Sequence, residues 1–283
     1  MAYKNLISLK SISDTEIRQI LDIAAEMKRI VLSRVKRGPQ LMGKVLAVAG
    51  DFSPMQKAAL TLSINYLSGI STVVEKELTM DDLFSLKLMG ADFIITKGDE
   101  VFFNEAANKC GGGIINYGGG GENPLEVLLY LFSIKQTIET LNSIDVSVLG
   151  DINKDSTAAD LCEVLSRFES RVSVYSADKN LNSAFKQKNL RVYSDVNMAV
   201  SGADAIIDLG CAEKDNFAYY ANYMGLTTEI LKLAQQNVPL FNRKTVFDKD
   251  SARNIIYPFS TADENFSNLT AITMALLYLL NRN

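Results

Sequence analysis

The sequence predicts an α/β protein: two doubly wound parallel-sheet domains joined by a long helix, with a C-terminal helix packing back on the first domain. Three observations predict it. Short apolar runs alternate with amphipathic stretches of helical length. The alternation stops at one long helical stretch, 123–141, and then restarts. The 283 residues suffice for two modest domains, each with its own core.

Ser13-Asp14-Thr15-Glu16 reads as a helix start, with Ser13 as cap and Glu16 at the capping-box position. Ile17, Ile20, Leu21, Ala24 and Met27 follow at helical spacing, and Gly38-Pro39 stops the run. The apolar run 44–50, KVLAVAG, predicts a buried parallel strand. A helix over 56–67, a strand over 71–75, a helix over 80–89 and strands over 92–96 and 113–116 continue the alternation. It implies a parallel sheet covered on both faces. After the helix 123–141 come a strand at 145–149, a helix at 156–168, and strands at 171–175, 203–208 and 237–241. The run 268–280 is a helix with an apolar face. These readings divide the chain into a first domain, 1–140, a second, 141–267, and a returning helix, 268–283. No Pro- or Ser-rich linker separates the domains, so close packing is expected.

Composition excludes several classes of function. Lys+Arg 29 against Asp+Glu 33 gives a net charge of −4, which disfavours nucleic acid or an anionic membrane as a partner held by bulk charge. The N-terminus has no apolar core after its charges, unlike a signal peptide, and the apolar run 271–280 is too short to span a bilayer. Cys110, Cys162 and Cys211 are scattered, fitting free thiols in a cytoplasmic protein. With no histidine, a transition-metal site has little to build on, and no cofactor is implied.

Gly118–121 precedes a helix but lacks the Lys-Ser/Thr of a phosphate loop and the spacing of a dinucleotide fingerprint, so a plain turn is expected. Gly111–113 reads as a helix C-terminal turn. Tyr219, Tyr220 and Tyr223 fit the core and rim of a helix, and Asp81-Asp82 the first turn of one. Asn123-Pro124 reads as a cap with proline at the first helical position.

Several segments, in this order and spacing, resemble the aspartate and ornithine carbamoyltransferase superfamily, and the aspartate carbamoyltransferase catalytic chain most. They are KNLISLKSISDTEIRQILDIAAEMK, GKVLAVAGDFSP, INYGGGGENPLEVLLYL, VSVLGDINKDSTAADLCEVLSRF and YYANYMGLTTEIL. The resemblance implies the two-domain fold above and a homotrimer. Its motifs, though, are degenerate. Where the family reads Ser-Thr-Arg-Thr-Arg at a helix start that grips carbamoyl phosphate, this chain has Met55, Gln56, Lys57, Ala58 and Ala59. Lysine lacks arginine's bidentate fork. The family arginine after the third strand matches Lys97. The His-Pro-Thr-Gln helix start is Asn123-Pro124-Leu125-Glu126, where Asn123 still donates a hydrogen bond and an ionised Glu126 repels phosphate. On the amino-acid side the family's residues fall near Ser156, Gly210 and Ala212, and the His-Pro-Leu-Pro stretch near 239–243, with Arg243. Lys76 and Thr79 stand near a loop that, in the family, reaches a neighbouring subunit's site.

The resemblance therefore implies remnant catalytic candidates Lys57, Lys97 and Asn123, and substrate-binding candidates Gln56, Glu126, Ser156 and Arg243. Losing one preorganised donor to a developing oxyanion costs roughly 10²–10³ in rate, and several are missing. The expected function is that of a degenerate homologue without carbamoyl transfer, structural or regulatory, with an active paralogue as a possible partner. Two alternatives stand beside it. One is a remodelled transferase acting on carbamoyl phosphate or another acyl phosphate. The other is a small-ligand sensor using the interdomain cleft.

Overall fold

A computed structural model describes residues 4–150, 152, 155–175, 190–210 and 226–282. The chain divides into two compact units, Met1–Phe132 with Phe266–Asn283, and Ser133–Asn265. The division falls inside one helix, α5 (Pro124–Ile138).

The first unit opens with α1 (Asp14–Leu32), started by the expected box: Ser13 accepts from Glu16 N–H while the Glu16 carboxylate accepts from Ser13 N–H. Its buried face is Ile17, Ile20, Leu21, Ala24 and Met27. Then follow β1 (Val45–Ala49), α2 (Pro54–Asn65), β2 (Ile70–Val74), α3 (Met80–Leu88), β3 (Phe93–Thr96), α4 (Glu100–Lys109) and β4 (Ile114–Asn116). The four strands form one parallel sheet in the order β2-β1-β3-β4. β1 and β3 are central and buried, as the apolar run VLAVA of β1 and the Phe-Ile-Ile of β3 require. β2 is an edge strand, and Ile70 and Val73 stay exposed there.

The last helix of the chain, running Asn265–Asn281, belongs to this unit and is buried almost all round. The Lys28 ammonium of α1 donates to Ser267 Oγ and Asn268 Oδ1, both at 2.5 Å, and Thr270 Oγ1 donates to the Ala59 carbonyl of α2 at 3.2 Å.

The second unit carries β5 (Asp145–Leu149), α6 (Ser156–Arg167), β6 (Arg171–Tyr175), β7 (Leu190–Tyr193), α7 (Val196–Val200), β8 (Ala205–Asp208), α8 (Thr228–Leu231) and β9 (Leu240–Phe241). Its five parallel strands run β7-β6-β5-β8-β9. An antiparallel hairpin, β10 (Thr245–Asp248) with β11 (Arg253–Ile256), follows; the terminal helix is then α9.

Some elements differ from expectation for local reasons. The strand expected at 237–241 shrinks to two residues: Asn237 is left-handed, at φ 60°, Val238 N–H turns back to the Gln235 carbonyl, and Pro239 has no N–H. β7, α7 and the hairpin strands span four or five residues, too few for a periodic signal. Cys211, Ala212, Tyr219, Tyr220 and Tyr223 lie outside the described residues.

Candidate functional site

In the first sheet the chain passes from β1 to β2 on one side, then crosses to β3 on the other. Open parallel sheets bind ligands outside the carboxyl ends of the strands at such a switch point. Three loops end there: Gly50–Ser53 after β1, Lys97–Asp99 after β3, and Tyr117–Asn123 after β4. Gln56, Lys57, Lys97, Asn123 and Glu126 all belong to these loops or to the helix starts that follow. Ser156 and Arg243 belong to the second unit.

The α2 start is closed on itself. Gln56 N–H donates to Ser53 Oγ at 3.2 Å, and Ser53 N–H donates to Gln56 Oε1 at 2.9 Å. Pro54 has no N–H, and Lys57 N–H already bonds the Ser53 carbonyl at 3.0 Å. Met55 N–H is the first-turn donor these bonds do not use. Anion binding at a helix start needs several such donors converging.

Both cations are engaged. The Lys57 ammonium pairs with Glu75 Oε1 at 2.8 Å, and that contact lowers the Glu75 carboxyl below its ordinary value. The Lys97 ammonium donates to the Asp51 carbonyl at 2.6 Å and lies 4.9 Å from the centroid of the Phe52 ring, a cation–π geometry. Phe52 in turn stacks on Tyr117, with centroids 5.3 Å apart and planes 26° from parallel. Phe52 is 3% exposed and Tyr117 4%. Gln56 Nε2 donates to the Tyr117 hydroxyl at 3.3 Å. Burial first, then the Glu126 charge, pushes the Tyr117 pKa far up, so its hydroxyl stays protonated.

Asn123 is buried and serves the α5 start. Its Nδ2 donates to Glu126 Oε2, and its Oδ1 accepts from Glu126 N–H at 3.4 Å. Behind it, Asn116 ties the loop: Nδ2 donates to the Ile7 and Glu122 carbonyls, and Oδ1 accepts from Gly118 N–H. The glycine run has a structural reason. Gly119 has φ 115°, and a Cβ there would meet Gly98 N at 2.6 Å and Lys97 Cβ at 3.0 Å. Glycine thus lets the loops after β3 and β4 touch, linked by Gly98 N–H to the Gly118 carbonyl at 2.9 Å.

Ser156 is the first residue of α6, directly after its cap Asp155. Arg243 follows β9, and its Nη1 pairs with Asp208 Oδ2 at the end of β8. The Asp208 side chain is 3% exposed, and its Oδ1 accepts from Gly210 N–H at 3.0 Å. Among the described residues the carboxylates of Glu229, Asp248 and Asp250 lie within 4.8 Å of one another; Asp248 is already bonded to Ser251 and Thr228.

The sequence had pointed to neither the aromatic pair nor the partners Glu75 and Asp51. Phe52 and Tyr117 each stand just beyond a buried strand's carboxyl end, and that position is the signal that would have found them.

No family model matches the chain. It is 27% identical to the aspartate carbamoyltransferase catalytic subunit of Caldicellulosiruptor bescii, across 99% of this chain and 98% of that one. An ornithine carbamoyltransferase from Thermus thermophilus has the same fold, with a TM-score of 0.84 at 20% identity over 99% of both chains. The catalytic subunit of M. jannaschii aspartate transcarbamoylase gives a TM-score of 0.82 at 21% identity, covering 99% of this chain and 98% of that one.

Proposed function

We propose that this chain, whose fold and full-length relatives are those of the aspartate/ornithine carbamoyltransferase superfamily, performs no carbamoyl transfer and has a structural or regulatory role. One observation carries the reading: the protein's own groups engage both candidate cations at the switch point, Lys57 and Lys97. Lys57 is paired to Glu75, Lys97 is bonded to Asp51, and the α2 start caps itself. A phosphate dianion there would also face Glu126 and Glu75. Transfer from a phosphorylated donor needs preorganised positive groups, each worth roughly 10²–10³ in rate, and two already engaged lysines do not supply them.

A homotrimer is the assembly this reading carries, with an active carbamoyltransferase paralogue as the partner class and the cytoplasm as the compartment. Among the described residues no helix is long and apolar enough to cross a membrane.

The test is calorimetric titration with carbamoyl phosphate, followed by a turnover assay with aspartate and with ornithine. The expected result is no binding heat and no product above the Lys57→Ala, Lys97→Ala double variant. Product formation that this variant abolishes would overturn the reading in favour of the remodelled transferase. That alternative draws on one fact, that Gln56, Lys57, Lys97, Asn123 and Glu126 share one sheet end. It assigns Lys57, Lys97 and Asn123 to the donor. Ser156 and Arg243 go to the acceptor amine, for which Arg243 would have to leave Asp208.

A further inference from the structure

We propose that an apolar cavity in the second unit is a binding site for a small aromatic carboxylate, independently of the reading above. The cavity, about 470 Å³ in volume, lies between the segment that follows α8 and the segment that follows β11. Small-molecule sites fall in the range of roughly 300–1,000 Å³. Leu231, Ala234, Ile255, Tyr257, Pro258 and Phe259 supply its apolar lining. Beneath it lies the unit's core, where Val238, Leu240 and Val246 pack with Leu231.

Both walls are held in place, so the cavity is preformed. On one side Gln235 N–H bonds the Ala203 carbonyl at 3.0 Å, and Gly202 N–H bonds the Leu233 carbonyl at 2.9 Å. On the other side Leu240 N–H bonds the Phe259 carbonyl at 3.1 Å. The Tyr257 hydroxyl donates to the Val238 carbonyl at 3.0 Å and so ties the two walls together. The Tyr257 and Phe259 rings meet edge to face, with centroids 5.7 Å apart, and Phe259 is left exposed. A preformed wall with an open aromatic edge suits a planar apolar ring, because little ordering entropy is lost on binding.

The lining contains one charged residue, Lys232, and it is cationic. Its neighbours Gln235, Gln236 and Asn237 are amides. A ligand with an apolar ring and one carboxylate complements that arrangement: the ring fills the cavity and the anion meets the ammonium. Lys232 also acts on the Asp248 carboxylate, so a bound anion shares the ammonium with that side chain, and a neutral apolar molecule gains nothing from it.

The test uses two probes of the same shape, 3-phenylpropanoate and 3-phenylpropan-1-ol, with the full chain. Each is followed by melting temperature and by saturation-transfer NMR. The acid is expected to raise the melting temperature with concentration and to bind more tightly than the alcohol. Lys232→Glu is expected to weaken the acid about tenfold and leave the alcohol unchanged. Ala234→Trp, which fills the cavity, is expected to abolish both. If Ala234→Trp fails to fold, Phe259→Ala serves in its place and is expected to weaken both probes. Equal affinity of acid and alcohol, or insensitivity of the acid to Lys232→Glu, would overturn the carboxylate assignment. Absence of binding, binding that survives Ala234→Trp, or binding that Phe259→Ala leaves unchanged would overturn the site.

Discussion

The carboxyl ends of the two sheets use their cations in opposite ways. At the first sheet, Lys57 pairs with a Glu75 side chain that is 75% exposed, and Lys97 bonds a neutral carbonyl. At the second, Arg243 pairs with the buried carboxylate of Asp208. Exposed pairs contribute little to stability, whereas withdrawing one member of a buried pair costs a great deal. What holds the first end together is therefore the buried Phe52–Tyr117 stack and the capping box. At the second end it is the ion pair. A cation near a sheet end is thus no guide to function until its partner's burial is known.

The largest expected effect comes from cutting the aromatic stack. Phe52→Ala should destabilise the protein by about 3–5 kcal/mol in urea denaturation, the usual range for a buried phenylalanine. A loss under about 1 kcal/mol would mean the stack does not hold that end together. Next is Arg243→Ala, which withdraws a guanidinium from a buried carboxylate. The half-exposed arginine moderates the cost to about 2–3 kcal/mol. An unchanged urea midpoint there would make Arg243 a candidate for ligand contact instead. Ser53→Ala removes one half of the α2 capping box and should cost about 1 kcal/mol.

The smallest effect is a pH dependence. Glu75 has its carboxyl lowered from the ordinary 4.5 by Lys57, and Asp82 is lowered from 3.8 to about 2 by Lys76 and by Thr79. A lowered folded-state pKa stabilises above the unfolded value and is lost as the pH falls through the folded one. The stability difference between the wild type and Glu75→Gln should therefore be small at neutral pH, fade as the pH falls from the ordinary 4.5 through the lowered folded-state value, and shrink in high salt. A difference that grows on acidification would show that the Lys57–Glu75 contact is not what the carboxylate feels.

The helix starts were legible in the sequence because their chemistry is local. Ser13 with Glu16 is visible three residues apart, and so is Asn123 with Glu126. The central strands were legible because double-sided burial demands unbroken apolar runs such as 45–49. The edge strand β7 and the hairpin were not, since exposed strands of four residues carry too few apolar positions to make a period. At the candidate site, the loss of arginine and histidine was plain from the residue types. Where the remaining lysines point was not.

By itself the sequence determined the α/β alternation, the capped helix starts and the absence of guanidinium and imidazole groups from the matched motifs at 55–59, 97 and 123–126. All of these are properties of residue type and of neighbours three or four positions apart. Only the tertiary structure decided what each remaining cation meets. Lys57 finds Glu75 across 18 residues, Arg243 finds Asp208 across 35, and Lys97 finds Asp51 across 46. Those meetings follow from strand order and register, which bring distant strand ends together and which no local pattern encodes.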